Sequence, residues 1–144
     1  MKLNKTLVTL FALLFILSAV KIFSQTLLDK NSIKFENVTT ATLVGKDGMI
    51  LRTEDGGMNW TALTSGITNM LNSNDFVNYV NDNGEVINMH LAVGENGVIL
   101  KSLDNGTTWQ QMPSGTINHL NDVTIYTPNN ILVCGDSATL LRSS

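Results

Sequence analysis

Hydrophobic and polar positions fall into two regimes along this chain. Residues 7–20 run without a charge, whereas from about residue 38 onward Val, Ile, Leu and Thr come in short runs broken by Gly, Asn or Asp every 8 to 12 residues. Interruptions that frequent leave no room for helical periodicity and predict short strands joined by tight turns. In the clearest stretch the pattern predicts strands over 87–93, 98–102, 108–113 and 122–126, the last leading into another unit. Val, Ile, Thr and Tyr are enriched there because branched and aromatic side chains pack well on a pleated surface. The expectation is an all-β chain.

The pattern also repeats. Val44-Gly-Lys-Asp-Gly-Met-Ile-Leu-Arg-Thr-Glu-Asp-Gly-Gly-Met-Asn-Trp60 returns 49 residues later as Val93-Gly-Glu-Asn-Gly-Val-Ile-Leu-Lys-Ser-Leu-Asp-Asn-Gly-Thr-Thr-Trp109. A third copy, Val133-Cys-Gly-Asp-Ser-Ala-Thr-Leu-Leu-Arg-Ser143, opens at an offset of about 41 and lacks the Asp and Trp. Repeats of this length are the mark of propeller blades. Within each full copy, Asp47-Gly48 and Asn96-Gly97 suit the positive φ of a hairpin turn. Thr53, Asp55, Gly57 and Trp60, and likewise Ser102, Asp104, Gly106 and Trp109, predict a longer turn that caps itself. A carboxylate two residues after a hydroxyl accepts turn N–H groups, Gly gives backbone freedom, and Trp covers the next strand.

S/T-x-D-x-G-x-x-W after V-G-x-x-G-x-I/L resembles the Asp-box, or bacterial neuraminidase repeat, and most closely the β-propeller repeats of photosystem II stability and assembly factor-like proteins. The resemblance runs from about Val38 to Ser144, with departures at Met58, Asn59 and Leu103. It implies a partial propeller of four-stranded antiparallel blades. The expected blades are 33–66, 67–115 and an incomplete 116–144, about two and three-quarter units in roughly eleven strands. Closed propellers typically have four to eight blades, so two explanations stay open: a fragment of a longer frame, which is favoured, or a homo-oligomer that completes a ring if the chain is complete. The first two copies stand further apart because of a polar stretch over 72–85, which is either a loop on a binding face or a long strand pair turning at 81–84.

Residues 1–24 have the layout of a signal peptide, with Lys2 and Lys5 before the apolar run and Ser24 at the cleavage point, leaving 25–144 as the repeat segment. The expected location is secreted, periplasmic or at the cell surface, with membrane attachment only if the leader stays uncleaved. Removing three lysines leaves 6 basic against 12 acidic side chains. A surface near −6 repels phosphate backbones, so nucleic acid is not an expected partner. Cys134 has no intrachain partner, and its apolar neighbours predict a small buried hydrophobe.

Candidate chemistry is sparse. The Asp-box resemblance raises a sialidase-like hydrolase, whose chemistry it implies as three arginines on a carboxylate plus a Tyr/Glu nucleophile pair. Two arginines are present, so that alternative needs catalytic residues elsewhere in a longer protein. An adhesin or spacer array is the third reading. Neither Asp-Asn-Gly nor Asp-Gly-Gly here continues to the bidentate Glu of a calcium loop, and no cofactor or metal is expected. Trp60 and Trp109 are expected in packing between blades. His90 and His119 occupy no equivalent repeat positions. The suggestive pattern is one cation per copy at Arg52, Lys101 and Arg142, a basic stripe for a protein partner, similar to the arginine patch of assembly-factor propellers; the competing reading is solvated strand residues that discourage edge pairing. The leading expectation is a non-catalytic binding or assembly scaffold.

Overall fold

The computed structural model describes residues 30–143, so the leader expected over 1–24 lies outside the described residues. Among the described residues eleven strands form three antiparallel sheets. The first sheet holds β1 (Lys30–Phe35), β2 (Ala41–Gly45), β3 (Ile50–Thr53) and β4 (Thr61–Leu63) in that spatial order. The second repeats the order with β5 (Leu71–Val80), β6 (Val86–Gly94), β7 (Ile99–Ser102) and β8 (Gln110–Met112). The third has β9 (Leu120–Thr127), β10 (Asn130–Gly135) and β11 (Thr139–Arg142). The all-β expectation and the blade-like meander of each unit are what the chain forms.

The turns follow the sequence chemistry. Asp47 and Gly48 take φ of 54° and 68°, and Asn96 and Gly97 take 56° and 71°, so both full repeats turn through the left-handed region. A Cβ at Gly48 or Gly97 would run into the carbonyl oxygen of Ile67 or Thr116, which excludes larger residues. In the third sheet the same turn is made by Ser137 and Ala138 at 54° and 57°, without a glycine. The polar stretch after Leu71 is the long strand pair: β5 and β6 pair from Leu71↔Gly94 to Val80↔Val86. Their turn is closed by Asn81, whose Oδ1 accepts the N–H groups of Asn83 and Glu85 at 3.0 and 2.9 Å.

Residues directly opposed in a ladder share a face, and this sorts the core into two contacts. Val44 and Ile50 of the first sheet pack on Leu71, Ala92, Val98 and Leu100 of the second. Met89, Leu91 and Val93, on the second sheet's other face, pack on Leu120, Val123, Ile125 and Val133 of the third. Burying a side chain of this size contributes about 1.5–3 kcal/mol. The inner strands β1, β5 and β9 also meet, in a repeating bond: Asn31 Nδ2 donates to the Leu71 carbonyl at 2.9 Å, and Asn72 Nδ2 to the Leu120 carbonyl at 2.8 Å.

Cys134 corrects the expectation of a buried hydrophobe, because it is exposed. By register it stands where Val44 and Val93 stand in the earlier sheets. Those two valines are covered by the next sheet, whereas no described residue covers that face of the third, where Leu140 is 70% exposed as well.

Candidate functional site

The Asp-box residues build two superposable turns. Thr53 Oγ1 donates to Asp55 Oδ1 at 2.9 Å and accepts the Gly57 N–H at 2.9 Å. Ser102 Oγ does the same toward Asp104 Oδ1 and from Gly106 N–H, at 2.7 and 3.0 Å. Each carboxylate then takes the backbone N–H four residues on, Asn59 to Asp55 at 2.8 Å and Thr108 to Asp104 at 2.9 Å. Asn59 departs from the motif yet preserves its bonding: its Nδ2 donates to Asp55 Oδ2 at 2.6 Å, as the Thr108 hydroxyl does to Asp104 Oδ2 at 2.6 Å. The Trp60 and Trp109 indole N–H groups close on the carbonyls of Gly57 and Gly106 at 3.1 and 2.8 Å.

These bonds favour the charged carboxylates. The backbone amide of Asn59, then its side-chain amide and the Thr53 hydroxyl, hold Asp55 down at about 2. For Asp104, desolvation pushes the pKa up, but the hydroxyl and amide of Thr108 and the hydroxyl of Ser102 outweigh it and leave it at about 2. Both acids are spent on their own turns. Among the described residues, no group of three or more His, Cys, Asp and Glu is arranged to hold a metal ion.

Arg52, Lys101 and Arg142 do occupy equivalent ladder positions, opposite Thr42, Leu91 and Leu132. They do not form one accessible stripe, and Arg52 is the correction. Its side chain is only 7% exposed. It donates from Nη1 and Nη2 to the two oxygens of Glu36 at 2.6 and 3.1 Å, and from Nη1 to Thr42 Oγ1 at 3.2 Å. Glu36 Oε1 also accepts the Thr42 hydroxyl at 3.1 Å. The second sheet's Asp-box turn lies over this pair, with the Cβ position of Gly106 3.4 Å from Arg52 Nη1. Lys101 is half-buried and Arg142 exposed, and among the described residues no carboxylate lies within 4.0 Å of either. A cavity of about 260 Å³ between the second and third sheets is lined by Lys101, Met112, Ile131, Leu141 and Arg142.

Sequence reasoning missed Glu36 and His90. Glu36 sits 16 positions before Arg52 in the β1–β2 connection, outside the repeat motif. His90 is 1% exposed and stacks on Phe76 at 5.5 Å, with Trp109 edge-on at 6.2 Å. His119, by contrast, is exposed, and its Nδ1 accepts the Asn96 N–H at 3.1 Å.

Residues 18–117 match the family model described as photosynthesis system II assembly factor YCF48. The chain belongs to the YCF48 family. Its fold is similar to that of a solved structure of "YCF48 bound to D1 peptide", with a TM-score of 0.64 at 20% identity, covering 79% of this chain and 36% of that one. It is similar to YCF48 from Cyanidioschyzon merolae to the same extent, with a TM-score of 0.63, 21% identity and the same coverages of 79% and 36%. The chain therefore spans about a third of the length of these YCF48 structures. No curated protein matches it.

Proposed function

We propose that this YCF48-family segment is a non-catalytic scaffold that binds a segment of a protein partner, as in assembly. One observation carries the reading: the polar groups of the Asp-box turns and Arg52 are all engaged within the fold, while Lys101 and Arg142 stay open to an outside carboxylate. The solved YCF48 relative is bound to a D1 peptide, which supports a peptide as the kind of ligand. The stripe of the sequence reading thereby shrinks to two cations beside a small groove.

The test is fluorescence anisotropy of a labelled D1 peptide, with an acid-rich peptide of equal length as comparison. The unaltered chain is expected to bind at low salt. A Lys101→Glu/Arg142→Glu variant is expected to keep its circular dichroism spectrum and lose roughly tenfold or more in affinity, because rim charges steer and hold acidic partners. Unchanged affinity in that variant removes the two cations from the account. Binding of neither peptide removes the peptide-scaffold reading.

A further inference from the structure

His90 is a buried titratable group with no part in the turns or in the proposed partner surface. It lies in β6 on the face turned to the first sheet, opposite Ser102. Its Nε2 is buried, has no hydrogen-bond partner among the described residues, and stands 3.9 Å from Glu36 Oε2. Both Glu36 oxygens are already engaged by Arg52, with Thr42 on Oε1. The site at neutral pH thus holds one enclosed anion against one enclosed cation, with Glu54 at 3.7 Å from Arg52 Nε on the exposed side. The second sheet's Asp-box turn closes it from above, bringing Asp104 and Asn105 near the imidazole and the Cβ position of Gly106 to 3.6 Å from Nδ1. Asn74 Oδ1, on the same face of β5, is likewise buried and unpartnered, while its Nδ2 donates to the Thr42 carbonyl at 3.2 Å.

A proton on His90 would add a second cation to a buried site whose enclosed carboxylate, Glu36, is already taken by Arg52. We propose that the contact between the first two sheets is an acid-sensitive latch, closed while His90 is neutral and loosened when it gains a proton. Burial is the largest influence on His90 and disfavours the cation. Glu36 favours it, Arg52 opposes it, and Asn105 and Asp104 favour it, with a net downward shift from the ordinary 6.5. The sign follows. An imidazole that binds its proton less readily in the folded state than in the unfolded one supports folding in full above 6.5, and that support is lost progressively as the pH falls below it. Among the described residues the contact between the second and third sheets encloses no histidine; beside its apolar cluster it buries Asp75, which accepts the Ile125 N–H at 2.8 Å and pairs with Lys34 at 3.0 Å.

The experiment uses the unaltered chain. Imidazole nitrogen shifts, assigned separately for His90 and His119, report the charge, and amide protection factors report the two contacts. His90 is expected to be neutral at pH 7. Between pH 7 and 5, protection at Thr42, Arg52 and Thr53 is expected to fall by up to about tenfold per pH unit, the limit for one linked proton. Protection at Val133 and Cys134, in the central strand of the third sheet, is expected to change far less. His90→Gln should abolish the difference between the contacts. A cationic His90 at pH 7, parallel loss at both contacts, or an unaltered pH dependence in the variant would overturn the latch. If the variant does not fold, the titration and the comparison of contacts in the unaltered chain still decide.

Discussion

The contact between the first and second sheets and the contact between the second and third are made by the same repeat positions, yet differ in kind. The first buries an arginine–glutamate pair, a histidine and an asparagine beside its apolar cluster, whereas the second buries a single carboxylate, Asp75, held by the Ile125 N–H at 2.8 Å, beside its own. Arg52 and Lys101 hold equivalent places, but Arg52 finds Glu36 in the connection between β1 and β2 and an Asp-box turn laid over it. Among the described residues Lys101 has neither a carboxylate within 4.0 Å nor an Asp-box turn laid over it. A repeat position therefore fixes the backbone address of a side chain. Its neighbours in the next unit decide whether it is structural or available to a partner.

Breaking the comparison at its charged positions gives the largest expected effect. Arg52→Ala leaves Glu36 buried without its cation and is expected to cost about 3–5 kcal/mol in urea unfolding. Lys101→Ala should stay within about 0.5 kcal/mol, as for a substitution that leaves no buried group unpaired. Equal costs would show that the two sites do not differ. The turns sharpen the same contrast on a smaller scale. Gly97→Ala must enter the left-handed region, which costs roughly 1–2 kcal/mol, and its methyl meets the Thr116 carbonyl as well. Ala138→Gly relieves that strain in the third sheet, at φ 57°, and is expected to gain up to about 1 kcal/mol after the added freedom of the unfolded chain is offset. Thermal unfolding of the two variants should move in opposite directions.

What was legible in the sequence was whatever the motif carries within a few residues. Thr53, Asp55, Gly57 and Trp60 bond to one another across at most four positions, so spacing alone predicts their turn, and Ser102 to Trp109 repeat it. The long β5–β6 hairpin was one of two open readings because polar residues on a two-sided strand pair leave no clean alternation. Arg52 was misplaced because its partner lies in a connection with no repeat signature, and burial of a charge depends on such partners. Cys134 was misplaced for the complementary reason: its strand looks like a core strand, and no described residue covers that face. His90 replaces the Ala41 of the first sheet, a swap without meaning until Glu36 and Arg52 are brought beside it.

The central claim is that equivalent cations differ in availability, and the chain's two arginines offer the most direct test. Native protein would be treated with phenylglyoxal near neutral pH and the modified peptides quantified by mass spectrometry. The account predicts prompt modification of Arg142 and protection of Arg52 until the protein is unfolded. Modification of both at the same rate in the native protein would contradict it.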